Sequence, residues 1–240
     1  MTLKKHNKRD KKKEVELMTS AALQCIAVVT MLIDHIGYEI GYLYFPGLPT
    51  DILRAIGRLS FPIFAFMLAE GFVHTSNRKK YALRLAVFAL ASEIPYRLFT
   101  VLGDWNRVGF PTWENIFFEL LLIFGALWCV ERGKLWLAGA AGLAVLAEAG
   151  GFMYGAYGVL IAVGFYVFRQ RRWAGMLVLT ACTALYCWYH GSLFQVYAVF
   201  AAVPLYLYNG KRGERLPRYF CYGFYPAHLL VLVGLGRLLA

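Results

Sequence analysis

From residue 17 onward the chain is a succession of apolar stretches separated by short polar connections: 17–38, 52–74, 81–101, 114–131, 134–149, 154–168, 173–190, 193–208 and 219–239. Crossing the hydrocarbon of a bilayer takes roughly 20 mainly apolar residues in helical form, within a range of about 17 to 25. The pattern therefore predicts an all-α, polytopic membrane bundle of about nine transmembrane helices, the sixth and eighth of them short. Basic residues supply an independent check, because cytoplasmic loops collect Lys and Arg. The stretch Lys4 to Lys13, the run Arg78-Lys79-Lys80, Arg132 with Lys134, the cluster Arg169, Arg171 and Arg172, and the stretch Lys211 to Arg218 are all rich in them. Connections 39–51, 147–153 and 190–192 hold none, and 102–113 holds only Arg107. Rich and poor loops alternate without a break, which predicts a cytoplasmic N-terminus and an external C-terminus. Residues 1–14 read as a basic cytoplasmic tail beside anionic headgroups, and 15–240 as one transmembrane domain.

Composition agrees. The chain is 60% hydrophobic and 16% charged, with a mean hydropathy of +0.53, a balance that excludes an ordinary soluble domain. A formal charge of +11 would suit a nucleic-acid partner on a soluble fold. Here the basic residues sit in short runs between apolar stretches, so they orient the chain in lipid and no nucleic acid is expected. The five cysteines lie in or beside apolar stretches with no CxxC spacing; they read as small hydrophobes, with neither a disulfide framework nor a metal site. The first apolar run is too long for a cleaved signal peptide and reads as a retained anchor.

Charges inside the spans carry the chemistry. Asp34 and His35 fall in the outer part of the first span. Arg54 and Arg58, four apart and so on one helix face, open the second. Glu93 and Arg97 share a face of the third, Asn115 and Glu119 open the fourth, and Tyr154 and Tyr157 begin the sixth. A charged side chain at a helix centre costs about 2.5–3.5 kcal/mol on insertion scales. The acids Asp34, Glu93 and Glu119 must therefore face the bases Arg54, Arg58 and Arg97 around a polar cavity. Neighbours on a helix point about 100° apart, so Asp34 is expected to pair with an arginine of the second or third span while His35 faces the cavity. Glu93 or Glu119 would then hold the other ring nitrogen of His35. His228, mid-span in YGFYPAHLL, is a second polar centre beside Pro226. Glu70 and His74 read as a helix-face pair at the interface, and His190 as a helix-end residue.

The runs IAVVTMLIDHIG (26–37), RAIGRLSFPIFAFMLAEGFVHTSNRKKYALRLAVFALASEIPYRL (54–98), YGAYGVLIA (154–162), PLYLYNGKRG (204–213) and FYPAHLLVL (224–232) resemble the TraX family of bacterial inner-membrane proteins. That family takes its name from the enzyme that N-acetylates F-pilin in conjugation, and it is similar to a superfamily of multi-span membrane acyltransferases. The resemblance implies a fold of many spans, acetyl-CoA as donor, a peptide or glycan acceptor, and the inner membrane as location. It also implies a functional histidine at His35, an Asn at the start of the fourth span, matched by Asn115, and a Tyr-Gly pattern matched by Tyr154, Gly155, Tyr157 and Gly158. The chain departs from the pattern in two places: Gln24, eleven positions before His35 where a basic residue is common, and Met153, where an Asp precedes the tyrosine.

Acyl transfer from a thioester needs a base, donors for the developing oxyanion, and exclusion of water. The expected catalytic group is His35 as base with Asp34, Arg54, Arg58, Glu93 and Asn115 around it; Arg54 or Arg58 would face the oxyanion or anchor the acceptor, and Asn115 and Tyr154 are neutral donors. Arg78, Lys79, Lys80, Arg84, Lys211 and Arg212 suit the phosphates of CoA, and Arg97, Glu119, Tyr154, Tyr157 and His228 the acceptor. The competing class is a transporter or permease with an intramembrane charge network, for which inverted repeats would be the sign; none is visible.

Overall fold

The computed structural model describes residues 18–41, 44, 46–101, 104, 107–109, 113–214 and 220–239. The expected tail, residues 1–14, together with Arg215 and Arg218, lies outside them. Among the described residues every regular element is helical.

Helix α1 (Ser20–Ile36) starts at Thr19, whose hydroxyl accepts from the Ala22 N–H at 3.2 Å. Its first free N–H groups, on Ser20 and Ala21, donate to the carbonyls of Lys211 and Arg212 at 2.9 and 3.1 Å, which ties the last polar connection to this end. Leu23, Ala27 and Met31 form its buried stripe. At its far end it continues into one π-helical turn, Gly37–Gly41.

The second apolar run, expected as one helix over 52–74, is two: α2 (Leu48–Gly57) and α3 (Ser60–His74). The break at Arg58 and Leu59 has a local cause. Pro62 has no N–H to donate to the carbonyl four residues back, that of Arg58. The predicted connection 39–51 is likewise largely helical, being taken up by the π turn and the first turn of α2. Next come α4 (Arg78–Thr100), α5 (Ile116–Glu131), α6 (Leu137–Ala149), α7 (Gly155–Val167) and α8 (Arg172–His190), the last stopped by Gly191 at φ +64°. The eighth stretch, expected to be a short helix, is a 3₁₀ segment (Leu193–Ala201) running into a single turn, α9 (Ala202–Tyr206), and α10 (Phe220–Leu239) closes the chain.

Helix α7 sits in the middle, packed on α3, α5, α6 and α8; α1 packs on α2, α3 and α10, and α4 on α5 and α10. The outer surface is greasy. On α4, Leu83, Val87, Leu90 and Ile94 form one stripe and are each more than half exposed, an arrangement suited to lipid and costly in water. Among the described residues, three helical stretches are long and apolar enough to cross a membrane: Ser20–Gly41, Leu48–His74 and Phe220–Leu239. Helix α7, of 13 residues, is about 20 Å long, short of the roughly 30 Å hydrocarbon core.

Candidate functional site

Asp34 and His35 leave α1 in different directions, and each finds a separate helix. The Asp34 carboxylate accepts from Arg54 Nη1 at 3.0 Å and from Arg58 Nη2 at 2.7 Å, so one acid bridges two guanidiniums from the end of α2. Gly57 makes this possible: a Cβ there would lie 2.2 Å from that of Asp34, so only a glycine lets α2 approach closely enough. The Arg58 Nε–H donates to the Arg54 carbonyl at 3.3 Å. The guanidiniums lie over the rings of Tyr38 and Phe194, 5.2 and 5.7 Å from their centroids.

His35 turns the other way, to α10. Its Nδ1 is 2.6 Å from Nε2 of His228, whose own Nδ1 is 2.7 Å from the Phe224 carbonyl oxygen. A carbonyl oxygen only accepts, so His228 Nδ1 carries a hydrogen, and in the neutral ring its Nε2 has the free lone pair. His35 Nδ1–H is therefore the donor between the rings. This fixes the tautomer of His35 and leaves the lone pair on its Nε2. The two imidazoles are stacked at 4.9 Å, with Phe99 against the edge of His35. The expectation that Glu93 or Glu119 holds the second nitrogen of His35 is thus corrected: the partner is His228, which belongs to the same centre rather than forming a second one.

His35, Asp34, Arg54 and Arg58 line a cavity of about 240 Å³ between α1, α2, α3 and the starts of α5 and α7. Tyr154, stacked face to face on Phe61 with centroids 3.6 Å apart, forms its floor. Tyr38, Tyr96, Tyr186, Gln195 and Tyr225 add to the polar part of the wall, with Ser60 and Thr100. Of these only Gln195, a lone amide in an apolar run, could have been suspected from the sequence; the tyrosines were indistinguishable from the other aromatic residues.

Several expected residues stand behind the wall. Asn115 caps α5: its Oδ1 accepts from the Phe117 N–H at 3.1 Å, and its amide hydrogens go to Glu93 Oε2 at 2.7 Å and the Ala89 carbonyl at 3.0 Å. It has no hydrogen left for an oxyanion, which corrects its expected role as a donor. Glu93 is held by Asn115 and by Arg97, whose Nε is 3.4 Å from Oε1. Glu119 is fully buried against Gly158, facing the N–H groups of Tyr154 and Gly155 without closing a hydrogen bond. Tyr157 is buried and its hydroxyl is 3.2 Å from that of Thr183. None of Glu93, Arg97, Asn115, Glu119, Tyr157 and His228 lines the cavity.

The basic residues expected at a donor's phosphates all lie at the opposite end of the bundle, where α1 begins. Arg78 is committed to Glu131 at 2.5 Å and lies over Phe72; Arg84 lies over Tyr81; Lys79, Lys80, Lys211 and Arg212 are exposed. A second cavity of about 250 Å³ opens at that end, among Glu70, His74, Arg169, Arg172 and Tyr208, with Phe66 and Phe165 at its inner wall. His74 Nδ1 bonds to the Glu70 carbonyl. Both cavities lie along α3, α7 and α8. Phe61 and Glu70, which line one each, are about 14 Å apart along α3.

No solved structure matches the chain. The chain is similar to the "Probable fimbrial assembly protein FimC, serogroup H1" of Dichelobacter nodosus, at 27% identity over 233 residues covering 88% of this chain and 92% of that one. The family described as "TraX protein" matches residues 19–236, a range that takes in both histidines, the Asp34 triad and both cavities; this chain belongs to the TraX family.

Proposed function

We propose that the protein is an integral membrane acetyltransferase that moves the acetyl group of acetyl-CoA to an amine or hydroxyl of a peptide or glycan acceptor. It works in the bacterial cytoplasmic membrane with about nine spans and a cytoplasmic N-terminus. The observation that carries the reading is the ordered pair His228–His35, which leaves an unprotonated Nε2 on a histidine that lines a cavity edged by two guanidiniums. The family match and the fimbrial assembly name of the relative favour an acceptor that is a surface appendage subunit.

In this scheme the acceptor nitrogen or oxygen forms a bond to the thioester carbonyl carbon as its proton passes to His35 Nε2. Arg58 and the Tyr154 hydroxyl stabilise the negative charge that develops on the carbonyl oxygen. His35 then returns the proton to the sulfur as the C–S bond breaks, releasing CoA as the thiol. His228 holds the imidazole in place throughout. In this reading the exposed Lys79, Lys80, Lys211 and Arg212 receive the donor's phosphates, and the second cavity, along the same helices as the first, is its point of entry. Arg78, paired with Glu131, and Arg84, over the Tyr81 ring, are left out of this reading.

The test uses purified protein in detergent with acetyl-CoA and candidate acceptors. Release of free CoA that depends on acceptor and is lost in His35→Ala is the expected result. Solute transport in proteoliposomes without acetyl-CoA, with no CoA release under any acceptor, would replace the enzyme by a permease.

A further inference from the structure

The charges on the wall of the first cavity do not cancel. The carboxylate of Asp34 faces both Arg54 and Arg58, leaving one positive charge over. Glu93 is matched by Arg97, and neither Glu114 nor Glu119 reaches the lining. The two guanidiniums are only 19% and 15% exposed, so bulk water compensates the surplus poorly. Hydrogen bonding is unbalanced in the same sense. Among the described lining residues, Arg54 Nε–H is a buried donor without a partner, while Gln195 Nε2 and the Tyr225 hydroxyl face Tyr157 and the Ile116 N–H without closing a hydrogen bond; each of the three can donate. Both Asp34 oxygens, the strongest acceptors on the wall, are already in use.

We infer that the ligand of this cavity carries an anionic oxyacid group, a carboxylate or a phosphate, that docks on Arg54 and Arg58. A guanidinium offers five N–H groups in a planar fork suited to such oxygens. Asp34 takes one from each arginine and the Arg54 carbonyl takes the Arg58 Nε–H, which leaves the Arg54 Nε–H and the remaining Nη–H groups of both forks available. The Cζ atoms of Arg54 and Arg58 lie over the rings of Tyr38 and Phe194, which favours cations at this place. In the acyl-transfer reading, on which the word acceptor alone depends, the acceptor bears this negative group close to the amine or hydroxyl that is acetylated.

The experiment measures binding without acetyl-CoA, so it needs no turnover. The full chain in detergent is titrated at constant ionic strength with inorganic phosphate, with N-acetylglycine, and with N-acetylglycinamide, which lacks the charge. At least one of the two anions is expected to bind tenfold or more tightly than the amide, and which one does so distinguishes phosphate from carboxylate. Arg58→Gln is expected to weaken that anion at least tenfold and leave the amide unchanged. Arg58→Lys, which keeps the charge and loses the fork, is the substitute if the glutamine variant does not fold. Asp34→Asn, which removes the competing carboxylate, is expected to tighten anion binding several-fold, a direction that damage to the fold would not produce. Equal binding of amide and anions, or anion binding indifferent to Arg58, overturns the inference. Anion selectivity in a protein that transfers no acetyl group would refute the enzyme while leaving the anion site standing; acetyl transfer to neutral acceptors alone would do the reverse.

Discussion

Replacing His228 with Phe isolates what the second imidazole does. The aromatic ring is retained, so the stack on Phe224, now 4.8 Å between centroids, survives, as does the face presented to His35 at 4.9 Å. The acceptor for His35 Nδ1–H is lost, together with the anchor at the Phe224 carbonyl. A buried donor left without a partner costs about 1–3 kcal/mol. His35 can recover part of this only by turning or by moving its hydrogen to Nε2, and either change removes the lone pair from the cavity. If the whole cost falls on the chemical step, kcat drops by a factor of about 5 to 150, at 1.36 kcal/mol per tenfold. The KM for acetyl-CoA should not change, since His228 does not line the cavity.

The assay is initial-rate CoA release in detergent, normalised to the folded fraction, on wild type, His228→Phe, His228→Gln and His35→Ala. A glutamine can present its amide oxygen to His35 Nδ1–H, so it should recover part of the loss, whereas His35→Ala should fall to background. A folded His228→Phe within twofold of wild type, beside an inactive His35→Ala, would refute the tautomer argument while keeping His35 as base. Equal activity in all four would refute both.

Three further outcomes follow from the packing. Gly57→Ala places a methyl 2.2 Å from Asp34 Cβ and 2.3 Å from its Oδ1, so α2 must move off α1; the unfolding temperature in detergent should fall by the equivalent of about 1–3 kcal/mol, and acyl transfer should go with the broken triad. Asn115→Ala removes the cap of α5 and the partner of Glu93 Oε2, at about 1–3 kcal/mol of stability; the loss should register in thermal unfolding, and a kcat as low as that of His35→Ala would return Asn115 to the chemistry. Lys79→Gln with Lys80→Gln should raise the KM for acetyl-CoA several-fold, most at low ionic strength, while kcat holds; an unchanged KM removes these lysines from the donor site.

How far the sequence carried depended on the kind of contact. The pairing of Asp34 with arginines was legible because a membrane leaves a buried carboxylate few alternatives, and Arg54 and Arg58 were four apart on the adjoining stretch. The contact between His35 and His228 was not, since 193 positions separate them and only the packing of α1 on α10 brings them together. Two signals were present, one unread and one read as chemistry. Pro62 marks the carbonyl of Arg58 as unpaired and hence the end of α2. Asn115, immediately before an apolar run, carries the mark of a helix cap, yet its place among charged neighbours suggested chemistry. The eighth stretch misled through composition: nothing in its apolar content distinguishes a 3₁₀ segment from an α-helix, and the choice falls to the contacts of Leu193–Ala201 with α8 and α3.

The adjacency of Asp34 and His35 now has a physical explanation. One helical turn both holds the arginines and carries the imidazole, and successive side chains about 100° apart do so by meeting different helices: Asp34 reaches α2 and His35 reaches α10. Two sides of the cavity therefore depend on how closely those two helices approach α1. On one side the approach is fixed by Gly57, where a Cβ would collide with Asp34. On the other it is fixed by a 2.6 Å contact between two imidazoles that a backbone carbonyl holds in register. An imidazole and two cations held in this way are in position before any ligand arrives; in the proposed reaction little reorganisation would then remain for the reacting groups, and the cost of confining charge in an apolar bundle would be borne in folding rather than at the reaction step.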